Sequence, residues 1–163
     1  MGEVVMKIYI MRHGQAGMNA KSDETRPLTE QGIQESVQMA RWLAPQLSRL
    51  DRVIHSPYLR ARETWLAICS ELPEVSVVEE SDEITPYGDA VRVASYLEAL
   101  SGEVESLLVV SHLPLVGYLV HALCPGHEAP LFATSGLACI EFDEGRGVLR
   151  WLEGPHTIKE TNS

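Results

Sequence analysis

The chain has 163 residues, of which 45% are hydrophobic and 22% charged, and it carries a net charge of −10 with an isoelectric point near 5.0. That length suits one domain with a full hydrophobic core. The acidic balance argues against nucleic acid or an anionic membrane surface as the main partner. A phosphorylated ligand is still allowed, because a few arginines that converge on one pocket make a local positive site on an acidic protein.

The cysteines, the first residues and the apolar runs indicate where the protein is located in the cell. Three widely spaced cysteines, Cys69, Cys124 and Cys139, show no metal-ligand spacing and favour reduced, mostly buried thiols. The first residues lack the basic region and long apolar core of a signal peptide, and every apolar run is too short to span a membrane. We therefore expect a cytoplasmic protein of one domain, 1–163, with a short extension at 1–5 and a poorly ordered polar tail at 154–163.

The first predicted strand, at 7–11, has four apolar residues in a row, which is typical of a central strand buried on both faces. It stops at Arg12, His13 and Gly14. A cation and an imidazole there suit chemistry better than packing, because open α/β sheets bind ligands outside the carboxyl ends of their strands. Gly14 allows a tight turn or a close approach to a ligand.

The first predicted helix follows a polar loop at 15–27 and has Thr29 as its N-cap. The apolar residues that repeat at helical spacing are Ile33, Val37, Ala40 and Ala44. Gly32 lies inside this helix, where glycine costs about 1 kcal/mol relative to alanine. A close approach to another backbone near the site is one reason to keep it.

A second strand at 51–56 precedes a helix that has Ser56 as N-cap and Pro57 at its first position. Its apolar face is expected to comprise Tyr58, Ala61, Trp65 and Ile68. Arg60 lies near the helix start and off that face. Cations are unfavourable at a helix N-terminus, whereas both the N-terminus and arginine favour phosphate, so a bound anion would resolve the conflict.

The remaining pattern alternates strands and helices. The predicted elements are a strand at 75–78, a helix from about Asp89, a strand at 106–110, a helix opened by Leu113 and Pro114, and a hairpin of 136–142 with 147–152. The strand at 106–110 again breaks into a polar pair, Ser111 and His112. This alternation predicts an α/β fold: a three-layer α/β/α sandwich with a mostly parallel central sheet. His13 and His112 then face one crevice, with Arg12 and Arg60 beside them.

Four motifs in this order resemble the histidine phosphatase (phosphoglycerate mutase-like) superfamily, and the resemblance covers nearly the whole chain. They are I-M-R-H-G-Q-A at 10–16, R-P-L-T-E-Q-G at 26–32, S-P-Y-L-R-A at 56–61 and V-V-S-H-L-P-L-V-G-Y-L-V at 109–120. The small size and the E-I-T-P-Y-G-D stretch at 83–89 are most similar to the bacterial phosphohistidine phosphatases of that superfamily.

The resemblance implies a phosphatase that needs neither metal nor cofactor. His13 is the implied nucleophile, which attacks phosphorus in line and forms a covalent phosphohistidine intermediate. Arg12, Arg60 and His112 are implied to hold the phosphoryl oxygens, and Arg26 is a further residue for the pocket rim. The implied partner is a phosphorylated histidine phosphotransfer (HPt-like) domain or carrier protein of a signalling phosphorelay, and the protein is expected to act as a monomer.

The general acid is left open by the sequence. Larger superfamily members use a carboxylate from the middle of the chain, where this protein offers Glu80, Asp82, Glu83 and Asp89. An imidazole leaving group needs such an acid less than an alkoxide does. About fifty residues separate Arg60 from His112, which leaves no room for a large cap over the site and predicts an open groove.

Two other functions remain possible at this stage. The first is a phosphomonoesterase or mutase for a small metabolite that uses the same four residues. The second is a non-catalytic phospho-binding regulator, against which the intact His13 speaks. Taken singly, His13 and His112 could also be structural histidines at strand ends; their combination with Arg12, Arg60 and the motif order favours a site.

Overall fold

The structure is a computed structural model that describes residues 5–158. Its strands and α-helices alternate in the order β1 (Met6–Arg12), α1 (Glu30–Leu43), β2 (Arg52–His55), α2 (Leu59–Ile68), β3 (Val77–Glu80), α3 (Ala90–Ala99), β4 (Ser106–Ser111), α4 (Leu115–Leu123), β5 (Leu137–Asp143) and β6 (Arg146–Glu153). Short 3₁₀ turns connect several of them, including one at Asp23–Thr25 and one at Asp82–Ile84.

One six-stranded sheet, in the order β3-β2-β4-β1-β5-β6, organises these elements. The first four strands run parallel, whereas β5 and β6 are antiparallel and form the predicted hairpin at one edge. The predicted α/β fold with a mostly parallel sheet is confirmed.

The sheet is buried on both faces, which explains the uninterrupted apolar runs of β1 and β4. Ile8 and Ile10 of β1 pack with α3 and α4 on one face, whereas Tyr9 and Met11 pack with α1 and α2 on the other. Side chains alternate across a strand, so a strand covered on both faces must be apolar at every position. Helices therefore flank both faces, as the sandwich requires.

The parallel register brings the two polar strand ends together. Arg12 at the end of β1 pairs with Ser111 at the end of β4, and the backbone N–H of His13 donates to the carbonyl of Ser111 over 2.9 Å. The residues that follow, His13 and His112, therefore lie at one edge of the sheet, as predicted.

The buried face of the first helix overlaps the expected one only in part. Ala40 is buried as expected, but Ile33 is 43% exposed, and the other buried positions are Gly32, Ser36, Met39 and Leu43. The apolar repeat does not select two of these positions because the contact surface includes a glycine and a serine. Both lie against the backbone that follows β1, where larger residues do not fit.

Other element boundaries also differ from the sequence predictions. Helix α2 begins at Leu59 and not at Pro57, and its N-cap is Tyr58. The Ser56 hydroxyl contacts His112 Nε2 and accepts from the backbone N–H of Tyr58. Strand β3 lies two residues later than predicted, so Glu79 and Glu80 belong to it. Arg60, placed by the sequence off the apolar face, is only 5% exposed.

The C-terminal region beyond β6 is more ordered than the predicted tail. Gly154 and Pro155 are buried, and the backbone N–H of Gly154 donates to the Thr157 hydroxyl over 2.7 Å. The rest of that tail, 159–163, and most of the predicted extension, 1–4, lie outside the described residues.

The structure describes all three cysteines and every predicted helix. Cys124 and Cys139 are buried, Cys69 is half-buried, and all three thiols are free. Within residues 5–158, no helix is both long enough and apolar enough to cross a bilayer.

Candidate active site

His13 lies at the centre of the polar edge of the sheet, with 8% of its surface exposed. Its Nδ1 is 2.7 Å from the carbonyl oxygen of Gly14. A carbonyl can only accept, so Nδ1 carries the proton and donates it. The other ring nitrogen, Nε2, is left unprotonated, with a lone pair that can accept a hydrogen bond. The backbone after β1 therefore fixes the tautomer that a nucleophilic histidine needs.

The surroundings of His13 keep its ring neutral. Burial lowers the pKa of His13 to about 4, the bond to Gly14 opposes this shift, and the positive charges of Arg60, Arg12 and Arg26 add to it. The cationic form is disfavoured because it would be desolvated among three guanidinium groups. At neutral pH, Nε2 is therefore unprotonated.

Arg60, in the first turn of α2, contacts Nε2 of His13. Its Nε donates to His13 Nε2 over 3.3 Å, and its guanidinium stacks on the Tyr58 ring at 5.1 Å. The remaining donors are engaged by the loop after β1: Nη1 donates to the Asp23 carbonyl over 2.6 Å and Nη2 to Asp23 Oδ2 over 3.2 Å. These contacts explain how a charged side chain is buried at a helix start.

Asp23 is a site neighbour that the sequence analysis missed. Its carboxylate joins Arg60 to Arg26, whose Nη1 donates to Oδ1 over 3.1 Å. Partial burial opposes ionisation, but the hydrogen bonds and charges of the two arginines prevail and lower the pKa of Asp23. Its side chain is 56% exposed, so it covers the arginines from the solvent side. No local sequence signal marks a loop aspartate that folds back over a helix start.

His112 lies beside His13 and is almost fully buried, at 1% exposure. The two ring centroids are 5.1 Å apart. Nε2 of His112 lies 2.7 Å from Ser56 Oγ, and Nδ1 is buried without a hydrogen-bond partner. Burial lowers the pKa of His112 to about 3, helped by the charges of His13 and Arg60. The free site therefore holds a neutral His112.

Arg12 and Arg26 complete the group of cations. Arg12 Nη1 donates to the Phe132 carbonyl over 2.9 Å, and its buried Nε has no protein partner. Burial and the neighbouring Arg60 lower the pKa of Arg12. Arg26 Nε donates to the Gly17 carbonyl over 2.9 Å. Arg26 thus contacts the site through Asp23 and the loop after β1, in keeping with a position at the rim.

The turn after His13 is held by small residues. The Gly14 N–H donates to Thr64 Oγ1 over 3.0 Å, and a Cβ on Gly14 would lie 2.7 Å from both the Gly32 carbonyl and Ser36 Oγ. A Cβ on Gly32 would overlap the backbone oxygen of Gln15. The predicted close approach of Gly32 to another backbone is confirmed, and it positions the loop that carries His13.

The four carboxylates considered as general acids have other surroundings. Glu83 pairs with Arg92 over 2.8 Å, and Asp89 caps α3 by accepting from two backbone N–H groups. Glu80 and Asp82 are exposed, and the described contacts join neither of them to His13, His112, Arg12 or Arg60. The carboxylate that does reach the arginines is Asp23.

These features define a chemical class. A neutral imidazole nitrogen lies beside guanidinium donors at the carboxyl edge of a parallel sheet, which suits attack on phosphorus and stabilisation of phosphoryl oxygens. Among residues 5–158, no group of three or more His, Cys, Asp or Glu side chains is arranged to hold a metal ion. The fold and the site are those of an α/β enzyme of phosphoryl-group chemistry.

Comparison with known proteins gives the family. The model of the histidine phosphatase superfamily, branch 1, matches residues 8–90. The chain belongs to this superfamily and is a phosphatase, a hydrolase of phosphoryl groups.

Individual relatives agree over most of the chain. Phosphohistidine phosphatase SixA of Escherichia coli is 48% identical over 94% of this chain and 97% of its own. A SixA homolog of Haemophilus influenzae is 44% identical over 72% of this chain and 77% of its own. A solved structure of the protein histidine phosphatase SixA complexed with tungstate superposes with a TM-score of 0.91 at 47% identity, covering 94% of this chain and 100% of that one.

Proposed function

We propose that this protein is a phosphohistidine phosphatase that dephosphorylates a histidine-phosphorylated phosphotransfer (HPt-like) protein through a covalent intermediate on His13. The observation that carries the proposal is the state of His13. Its Nδ1 proton is donated to the Gly14 carbonyl, and its unprotonated Nε2 accepts from Arg60 Nε. The names of the relatives, phosphohistidine phosphatase SixA and its homolog, support the choice of substrate class.

The first step is attack by His13 Nε2 on the substrate phosphorus. A bond forms between Nε2 and phosphorus while the P–N bond of the substrate breaks. Its electron pair goes to the departing imidazole, whose other ring nitrogen already carries a proton, so the leaving group is neutral and needs no proton from the enzyme. Arg12 and Arg60 would bind the equatorial oxygens, and His112 would act beside them. The phosphoryl group has to replace Asp23 at the Nη2 donor of Arg60.

The second step is hydrolysis of the phosphohistidine on His13. Water attacks phosphorus, the P–N bond to Nε2 breaks, and inorganic phosphate leaves with the free enzyme restored. The bound phosphoryl dianion favours a proton on a nearby imidazole, so it opposes the burial that keeps His112 neutral in the free enzyme. His112 can therefore gain a proton when the phosphoryl group is present.

The nature of the leaving group supports phosphohistidine, in which phosphorus is bonded to nitrogen, as the substrate. An alkoxide leaving group needs a strong proton donor, but the middle-chain carboxylates have other surroundings, and the lowered pKa of Asp23 keeps that carboxylate ionised. Imidazole departs without such a donor. The site is therefore better suited to phosphohistidine than to a sugar phosphate.

The architecture supports a protein substrate. Residues 61–111 supply α2, β3, α3 and β4, all of which build the sandwich itself, so this segment provides no separate cap. A phosphohistidine on a protein surface can then approach the edge of the sheet. We further propose that the protein acts as a monomer in a phosphorelay.

Phosphate release from a phosphohistidine-bearing phosphotransfer domain, measured beside a panel of sugar phosphates, tests this proposal. We expect fast release from the domain by the wild-type protein and none by the His13→Ala variant. A preference for sugar phosphates that depends on His13 would move the function to small metabolites. Release that survives His13→Ala would reject His13 as the nucleophile.

A further inference from the structure

Three strongly exposed apolar side chains belong to loops that contact residues of the phosphoryl site. Among the described residues, the large hydrophobic side chains with the highest exposure are Tyr87 at 89%, Leu131 at 84% and Met18 at 79%. Single exposed apolar residues are common on protein surfaces, but a group of them on one face marks an interaction site. We call these three residues the apolar rim.

Two members of the apolar rim lie next to residues that hold the site arginines. Met18 follows Gly17, whose carbonyl accepts from Arg26 Nε over 2.9 Å. Leu131 precedes Phe132, whose carbonyl accepts from Arg12 Nη1 over 2.9 Å. Both therefore belong to loops at the entrance to the phosphoryl site.

Tyr87 belongs to the loop that follows β3 at the same edge of the sheet. This loop is anchored near His112, because Ser111 Oγ donates to the Ile84 carbonyl over 2.7 Å. Gly88, the next residue after Tyr87, packs closely against Glu83 and against the Leu115 side chain at the start of α4. The loop is thus held in place, while the Tyr87 ring projects into solvent.

The groups that bind the phosphoryl group lie deeper than this rim. His13, Arg60 and His112 are 8%, 5% and 1% exposed. A substrate that reaches them comes in past the loops that carry Met18, Tyr87 and Leu131. A free sugar phosphate is small and polar and gains little from apolar contacts outside the site, whereas a protein surface around a phosphohistidine can cover them.

We propose that the apolar rim of Met18, Tyr87 and Leu131 is the docking surface for the phosphorylated partner, a folded protein that presents its phosphohistidine among exposed apolar side chains. This inference rests on the proposed function. Apolar contact at the rim would add affinity to the contacts that the phosphoryl group makes with the arginines of the site.

The test compares one enzyme on two substrates of different size. The variants are Met18→Ser, Tyr87→Ser, Leu131→Ser and their triple combination, and the control is Leu66→Ser, which removes a 58% exposed leucine from the later part of α2. The substrates are a phosphohistidine-bearing phosphotransfer domain and free phosphohistidine. We expect the triple variant to lose about tenfold or more in kcat/KM on the domain, mainly through KM, and to stay within about twofold on free phosphohistidine.

The possible results separate the two proposals. Unchanged kcat/KM on the domain in the triple variant would overturn the docking surface and leave the proposed function intact. An equal loss in Leu66→Ser, or an equal loss on free phosphohistidine, would also overturn it, because the effect would not be specific to docking. A wild-type protein that hydrolyses free phosphohistidine but not the domain would reject a protein substrate, and the docking surface with it.

Discussion

Ser56 Oγ and His112 Nε2 lie 2.7 Å apart, and this buried contact joins the ends of β2 and β4. The same hydroxyl accepts from the backbone N–H of Tyr58 over 3.2 Å. Ser56 is thus a positioning residue for His112, whose other nitrogen has no partner in the free site.

Replacing Ser56 with alanine should affect both stability and turnover. The change leaves the buried His112 Nε2 and the partly buried Tyr58 N–H without a partner, which costs about 1–2 kcal/mol of unfolding free energy. Loss of ring orientation should lower kcat by about tenfold. Ser106→Ala is the matched control, because Ser106 Oγ is buried without a partner near the opposite end of β4. Equal behaviour of the two variants in urea unfolding and steady-state kinetics would contradict this role.

The proposed binding of the phosphoryl group by Arg60 requires it to displace Asp23. Asp23→Asn keeps the shape of the side chain but removes the negative charge that Arg60 and Arg26 share. We expect inorganic phosphate to inhibit the variant at concentrations about threefold to tenfold lower than the wild type, since a charge-assisted contact no longer has to be displaced. Weaker inhibition would mean that Asp23 chiefly orients Arg60. Inhibition constants measured at fixed ionic strength decide between these outcomes.

The two buried histidines of the site, His13 and His112, make the fold sensitive to acid. Their pKa values are lowered from 6.5 to about 4 for His13 and about 3 for His112. In the unfolded chain these histidines have a pKa of about 6.5. Between about pH 6.5 and their lower pKa values in the folded protein, the unfolded chain binds protons that the folded chain does not. Stability is therefore lost as the pH falls through this window. His112→Gln should therefore lose less stability than the wild type between about pH 7.5 and about pH 5, a range that covers the upper part of the window.

Urea unfolding midpoints at the two pH values measure this effect. The control is His156→Gln, which removes an exposed histidine and should lose as much stability as the wild type. An identical acid loss in His112→Gln and the wild type would show that His112 does not contribute to this linkage.

Gly32 should resist replacement although it lies inside a helix. Alanine favours a helix by about 1 kcal/mol, but its Cβ would overlap the Gln15 backbone, which cannot move without displacing the loop after His13. We expect Gly32→Ala to destabilise the protein by about 1–3 kcal/mol and to lower activity. The control is Gly17→Ala, whose Cβ would meet its nearest atom, the Pro27 carbonyl oxygen, at 3.9 Å. Thermal unfolding of the two variants should differ clearly, and a neutral Gly32→Ala would disprove the backbone contact.

The sequence predicts those parts of the fold in which local pattern and tertiary environment agree. The strands β1 and β4 are buried on both faces, so their uninterrupted runs of apolar residues identify them as central strands. Their polar ends meet because parallel strands place their carboxyl ends at one edge. For that reason the amino-acid pattern is enough to bring His13 and His112 together.

The rest depends on contacts between segments distant along the chain. Asp23 reaches Arg60 only because the loop after β1 folds over the start of α2. The buried face of α1 includes Gly32 and Ser36, which hydrophobic periodicity does not select. Ser56 could have been recognised as a site residue, since it follows β2 as His13 follows β1, but an N-cap role also fitted its position.

The central claim is that Nε2 of His13 takes the phosphoryl group, and transfer of label to the enzyme tests it most directly. A phosphotransfer domain with radiolabelled phosphohistidine is mixed with the wild-type protein or the His13→Ala variant, quenched rapidly in alkali and separated. We predict transient label on the wild-type chain that is stable in alkali and labile in acid, located in the peptide that contains His13, and no label on His13→Ala. Full release of phosphate without label on the wild-type chain at any quench time, or equal labelling of His13→Ala, would contradict the account.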